Sequence, residues 1–185
     1  EGLDHLKGLK GPVIFMPNHV SYADSCAVMR ALPISFRTQV AHAAGRDFLY
    51  EKFKYLIYPI ELFFNTFPFP CKEQENIKQG LDAMGRLIDA GYSIVFFPEG
   101  KVSISGDLES LKNGAGLAAI EMGVPVIPVN IRGTREMFVH GKGFPTKRGH
   151  VTVTFGSPLT FSQSGDYSDV TRQIEAAMRA LQKNY

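Results

Sequence analysis

Short apolar runs alternating with helix-period stretches constrain this chain more than anything else in its sequence. Residues 13–16 and 93–97 are apolar runs too short for helices and read as buried strands. Residues 38–43 and 124–131 read as further strands, the latter flanked by turns. Residues 150–155 alternate Val151, Val153 and Phe155, the pattern of a half-buried edge strand. The stretches between have period 3.6. Ile77, Leu81, Met84 and Ile88 form one stripe of a helix over 73–90, which Gly91 ends. Val170, Ile174, Met178 and Leu181 share a face of a last helix over 168–183. Helices are also expected over 21–32, over 47–58, and over 113–122 before Gly123. Strands separated by helices predict an α/β fold: a mostly parallel central sheet flanked by helices. Pro125 and Pro128 cannot donate to a ladder, which puts the strand over 124–131 at an edge or at a bulge.

The chain has 185 residues, which suits one domain spanning 1–185; no repeat, low-complexity tract or interior linker divides it, and 133–149 reads as a long loop. Its first residue is Glu1 and not Met, so it is expected to be a piece of a longer protein. Lys and Arg total 20 against 18 Asp and Glu, a formal net charge of +2, which makes no electrostatic case for nucleic acid. Cys26 and Cys71 are too few and too far apart for a disulfide framework or a zinc site, and a reduced, intracellular setting is the default. The five histidines show no ligand spacing, so no metal is expected. No run offers the roughly 18–20 uncharged apolar residues of a spanning helix. The nearest, residues 55–70, is broken by Glu61, Asn65 and prolines. The run Gly114-Ala-Gly116-Leu-Ala-Ala119 mimics a dinucleotide fingerprint but follows a polar stretch instead of a strand, so its glycines are expected to serve close helix packing or backbone contact with a ligand.

Phosphate loops, nucleophile elbows and His-Glu-x-x-His zinc motifs are all missing from the sequence. Three other blocks carry chemistry. The first, Asn18-His19-Val20-Ser21-Tyr22-Ala23-Asp24, sits where the first strand gives way to the first helix. Ser21 and Asp24 could form a capping box and nothing more. Residues five apart on an ideal helix diverge by about 140°, so His19 meets Asp24 only if it precedes the helix and folds back over its first turn. The carboxylate would then hold one ring nitrogen and leave the other free to take a proton. The second block runs from Phe96 to Ser103 and places Glu99 directly after an apolar strand, with Gly100 beside it. Glu99 could also only cap or salt-bridge within a loop. The third is Val124-Pro125-Val126-Ile127-Pro128-Val129, which could be only a bent strand.

In this order and spacing the three blocks resemble the glycerolipid acyltransferase family typified by lysophosphatidic acid acyltransferases, over almost the whole chain. The resemblance implies the fold of that family and acyl transfer from a thioester, acyl-CoA or acyl carrier protein, to a lysophospholipid or glycerol phosphate. It implies that His19 is the general base and Asp24 its orienting partner, with Asn18 and Ser21 in support. Glu99, Gly100 and Ser103 would lie in the acceptor site, where Lys101, Lys112 and Arg132 could meet phosphate. Arg135 could also meet phosphate, and the loop cations Lys142, Lys147 and Arg148 could touch CoA phosphates or anionic headgroups, with ordinary solvated loop charge the favoured reading. Val124, Pro125 and Pro128 would shape an acyl pocket. The chemistry suits these residues. A thiol of pKa about 8.5 leaves as thiolate without a strong acid. An alcohol needs a base, worth about 10²- to 10⁴-fold. An oxyanion hole is required, and backbone N–H groups near the start of the first helix are candidates. No cofactor beyond the thioester substrate is implied.

Two departures stand out. Where many members carry an arginine between the first two blocks, residues 67–71 read Phe-Pro-Phe-Pro-Cys, and where many carry one after the Glu-Gly pair this chain has Val102. Lysine does not reproduce the arginine fork, which weakens the case for a phosphomonoester acceptor. The run from Glu99 through Ser103 and Gly106 to Leu108 is similar to acyltransferases acting on lysophosphatidylethanolamine, often joined to an acyl-activating domain, so a fused or partner domain of that kind is expected. Aromatics crowd residues 48–69 together with Lys52 and Lys54, which suits an interfacial patch or the mouth of an acyl channel, or simply core. The expected location is peripheral on a membrane, on the cytoplasmic side. Two alternatives remain: a thioesterase or esterase in which His19 activates water, and a non-catalytic module that binds lipid or a carrier protein.

Overall fold

The computed structural model describes residues 1–45, 64–69, 74–137 and 147–183. Six strands form one sheet: β1 (Ile14–Pro17), β2 (Val40–Gly45), β3 (Thr66–Phe69), β4 (Ser93–Val95), β5 (Val126–Arg132) and β6 (Thr152–Phe155). Their order is β3-β2-β4-β1-β5-β6. The first five run parallel and β6 pairs antiparallel with β5. The helices are α1 (Asp24–Ala31), α2 (Ile34–Arg37), α3 (Gln74–Asp89), α4 (Gly114–Met122), α5 (Thr134–Met137) and α6 (Tyr167–Lys183). The fold is the mixed α/β sheet with flanking helices that the alternating pattern predicts.

Successive side chains of a strand leave on opposite faces, and the apolar residues of β1 and β5 therefore divide between two cores. Ile14, Met16, Ile94 and Val126 pack on one face with Met84 and Ile88 of α3, with α4, and with Val170, Ile174 and Met178 of α6. Phe15, Val95, Ile127, Val129 and Ile131 pack on the other with Val28 of α1, and Phe36 of α2 packs against them. Burial on both faces explains why β1 reads as an unbroken apolar run. The glycine-rich start of α4 is a packing device. A Cβ on Gly116 would lie 2.0 Å from the Tyr167 carbonyl oxygen of α6, and the Gly116 N–H donates to Thr171 Oγ1 at 3.0 Å.

Three local readings are narrowed or changed. Of the two places expected for the prolines the edge fails and the bulge holds: β5, which contains Pro128 and follows Pro125, lies inside the sheet between β1 and β6. Its prolines are accommodated by carbonyls and by a bulge. The Pro125 oxygen accepts from Ile14 N, and the Pro128 oxygen accepts from Gly156 N at 2.8 Å. Val129 pairs with Phe155 and Val126 with Leu159, so the chain after β6 carries one more residue than β5 between those pairs. Second, α1 starts at Asp24, two residues later than a Ser21 cap predicts. Third, of the readings open for the aromatics of 48–69, the rings of β3 take that of core: Phe67 and Phe69 are buried beside α3. The rest of that stretch, residues 48–63, and the helix expected over 47–58 lie outside the described residues.

Candidate active site

β1 and β4 are parallel neighbours, so the loops that follow them leave the sheet at the same edge, where ligands bind in such folds. Asn18 continues β1 without being part of it. Its side-chain amide donates to the Ile131 carbonyl at 3.0 Å and its side-chain oxygen accepts from Ile131 N at 2.6 Å, clamping the end of β1 to the end of β5. The chain then turns, and His19 folds back over the first turn of α1. Its Nδ1 lies 2.9 Å from Asp24 Oδ2. Because the carboxylate accepts, Nδ1 carries the proton and Nε2 is the open nitrogen.

Asp24 has no exposure to solvent. Its Oδ2 also accepts from Val20 N at 2.7 Å and from Ser21 N at 2.8 Å, while Oδ1 accepts from Thr134 Oγ1 at 2.7 Å. The acid does half the work of a capping box. The Ser21 hydroxyl accepts from Ala23 N at 3.2 Å instead of reaching the fourth residue, and the Ser21 carbonyl takes Asp24 N. The amides of Val20, Ser21, Ala23 and Asp24 are thus all engaged, which removes them as oxyanion donors.

The second loop holds the first. Glu99 is buried, and its two oxygens accept from His19 N at 2.7 Å and from Glu109 N at 2.9 Å. Burial pushes its carboxyl above the ordinary range, against the pull of those two amides. Ser103 N donates to the His19 carbonyl at 2.7 Å, and the Ser103 hydroxyl is tied to Asp107 O and Gly106 N within its own loop. Phe97 lies under the imidazole, ring centroids 4.2 Å apart and planes tilted by 31°.

A cavity of about 500 Å³ opens beside His19 on the face covered by α3 and α4. Its apolar wall includes Phe69, Ile77, Leu81, Phe96 and Leu117, and Gly100, Lys101 and Lys112 also line it. Lys101 is paired with Glu109 at 2.7 Å. Lys112 has no carboxylate partner among the described residues and stands just before α4, whose start at Gly114 borders the same cavity.

The structure therefore brings His19, Asp24, Glu99, Gly100, Lys101 and Lys112 together, and separates others from them. Glu99 and Ser103 face inward and serve the loops, not the cavity lining. Arg132 does not line the cavity, and its guanidinium donates to the Gln182 carbonyl. Arg135 donates to the Ile104 carbonyl at 2.6 Å. Val124 packs against the core, and Val124, Pro125 and Pro128 are likewise absent from the lining, so the third block supports the sheet instead of walling the pocket. Lys142 lies outside the described residues. The wall comes instead from α3 and α4: the stripe of Ile77, Leu81, Met84 and Ile88 is core at its C-terminal end and cavity wall at its N-terminal end. A periodicity argument shows the stripe but not where the core stops.

Residues 1–132 match the sequence profile of the family described as Acyltransferase. The chain belongs to the acyltransferase family. This acyltransferase chain is 28% identical over 170 residues to the chloroplastic 1-acyl-sn-glycerol-3-phosphate acyltransferase LPAT1 of Arabidopsis thaliana, covering 89% of the chain and 44% of that protein. It is 26% identical over 175 residues to the chloroplastic 1-acyl-sn-glycerol-3-phosphate acyltransferase BAT2 of Brassica napus, covering 93% of the chain and 48% of that protein. The acyltransferase chain thus spans about half the length of these curated relatives. Its fold matches the crystal structure of the 1-acyl-sn-glycerophosphate (LPA) acyltransferase PlsC from Thermotoga maritima with a TM-score of 0.68 at 21% identity, over 99% of this chain and 70% of that one. No helix among the described residues is long and apolar enough to cross a membrane.

Proposed function

We propose that this chain transfers an acyl group from a thioester, acyl-CoA or acyl carrier protein, to a hydroxyl of a lysophospholipid or glycerol-phosphate-type acceptor. The observation that carries the reading is a cavity-lining imidazole with one nitrogen tied to a buried carboxylate and the other left open. His19 Nε2 takes the acceptor's hydroxyl proton as the oxygen attacks the thioester carbonyl. Asp24 steadies the imidazolium. The tetrahedral intermediate collapses, the C–S bond breaks, and the thiolate recovers the proton. A thiolate is a good leaving group, so neither an acyl-enzyme nor a cofactor is needed. The apolar wall of Phe69, Ile77, Leu81 and Leu117 suits an acyl chain. Lys112 and the positive end of α4 suit the acceptor's phosphate. An amphiphilic acceptor favours work at a membrane surface. An acyl-activating domain, fused or separate, would supply the donor.

The test is mass spectrometry of products from the purified chain given acyl-CoA and a panel of lysolipids, with His19→Ala alongside. Transfer to a lysolipid that depends on His19 supports the reading. Thiol release without acyl capture points to a thioesterase. Unchanged turnover in His19→Ala removes the imidazole from the mechanism.

A further inference from the structure

Thr134 lies 110 residues from Asp24, outside all three sequence blocks, yet its hydroxyl reaches the catalytic carboxylate. Three donors, His19 Nδ1, Val20 N and Ser21 N, crowd onto Asp24 Oδ2. Oδ1 receives Thr134 Oγ1 at 2.7 Å. Both residues are buried, Asp24 at 0% and Thr134 at 1% exposure, so water cannot replace that donor. A buried carboxylate oxygen without a donor is costly, and the carboxylate would turn to find one.

The approach is built by the backbone. Asn18 grips both polar groups of Ile131, which fixes the end of β5 against the His19 loop. Three residues on, the chain must reverse within a single turn to bring a side chain over Asp24. Gly133 makes that turn at φ 88°, with no room for a side chain: a Cβ there would lie 1.9 Å from the His150 carbonyl oxygen. Thr134 then opens α5 with its hydroxyl on Oδ1.

We propose that Thr134 is a positioning residue for the reaction, holding the Asp24 carboxylate by its second oxygen so that the first stays aligned with the His19 imidazole. The assignment rests on the His19–Asp24 reading above. Removing the hydroxyl leaves the base present but poorly oriented, which lowers kcat and leaves binding of the acyl donor alone. A charge-assisted hydrogen bond of this kind corresponds to about 10- to 100-fold in rate.

The experiment compares Thr134→Val, which keeps the shape, with Thr134→Ser, which keeps the hydroxyl. Both are made in the wild-type chain and in Asp24→Asn, and assayed with acyl-CoA and 1-acyl-glycerol 3-phosphate. The expected result is a roughly 10- to 100-fold lower kcat for Thr134→Val at unchanged KM for acyl-CoA. Thr134→Ser stays within a few-fold of wild type, and Thr134→Val adds little in the Asp24→Asn background because both act through one carboxylate. Equal losses in Val and Ser, or a wild-type rate in Val while Asp24→Asn is crippled, overturn the proposal. A wild-type rate in Asp24→Asn instead overturns the His19–Asp24 reading beneath it. If Thr134→Val does not fold, Thr134→Ala against Thr134→Ser gives the same comparison, checked by thermal unfolding.

Discussion

Two histidines sit on the same sheet, one after β1 and one in β2 with β4 between them, and differ in nearly every respect that bears on chemistry. His19 follows β1, keeps 20% of its side chain exposed, rests on Phe97 and has Nδ1 tied to Asp24. His42 lies within β2 at 2% exposure, and neither of its ring nitrogens has a hydrogen-bond partner among the described residues. Its neighbours among the described residues include the Phe64 ring, edge-on at 5.5 Å, and Thr66 in register on β3, whose hydroxyl is likewise without a described partner. Burial without a partner pushes His42 down to about 3 and keeps it neutral, so it behaves as an awkward apolar residue. A useful base needs one nitrogen satisfied and one open, and burial alone supplies neither.

The largest expected effect tests that contrast directly. His19→Ala should lower acyl transfer by about 10²- to 10⁴-fold, and His42→Leu should leave the rate within a few-fold of wild type, both read as kcat/KM. Comparable losses in the two would break the comparison. Next in size is Asp24→Ala. It strands three backbone and side-chain donors on one side and Thr134 on the other, so the chain should lose roughly 3–5 kcal/mol of stability in urea unfolding. A loss below about 1 kcal/mol would mean that the corner is wet and not built around the acid.

The contrast was only partly legible in the residues. The buried strands, α3 and α6 follow from period and run length because burial on two faces and amphipathic stripes leave their mark in local sequence. The His19–Asp24 meeting was legible as a condition, that the histidine precede the helix and fold back, and the capping tendency of Asp24 is the force that folds it. Thr134 and Glu99 were not assignable in the same way. Each acts across the sheet on a group 110 or 80 residues distant, and no local pattern encodes which carbonyl or carboxylate a polar side chain will meet after folding. Pro125 and Pro128 pointed to an edge or a bulge, and it is the bulge that holds: β5 lies inside the sheet, and the extra residue after β6 relaxes the ladder there.

A third measurement sharpens the picture of His42. Its folded value lies below that of an unfolded histidine, so the unfolded chain binds the extra proton. Stability is therefore fully present above pH 6.5 and is lost as the pH falls from 6.5 towards 3. At pH 5 the cost is roughly 2 kcal/mol from this one residue. His42→Leu should be more stable than wild type at pH 5 by about that amount, with the gap narrowing towards pH 7 in parallel urea titrations. A gap that does not depend on pH would mean that water or a donor reaches the ring.

Glu99 gives the smallest effect and the opposite slope. Its carboxyl is pushed above its ordinary value of 4.5 by burial, so the folded chain holds that proton more tightly than the unfolded one. Its contribution is present below pH 4.5 and is lost as the pH climbs through the raised value. Wild type should therefore lose stability relative to Glu99→Gln between pH 4 and pH 6, while it gains relative to His42→Leu over the same interval. The change should be smaller than at His42 because the His19 and Glu109 amides favour the charged form and offset part of the burial. Those amides also make the residue matter for rate: an amide group in place of the carboxylate presents a donor to at least one of them, loosening the backbone at His19, so kcat should fall with KM for acyl-CoA unchanged. A stability slope of the same sign as His42's would show that the two amides, and not burial, set the state of Glu99, and would make it a second anchored carboxylate like Asp24.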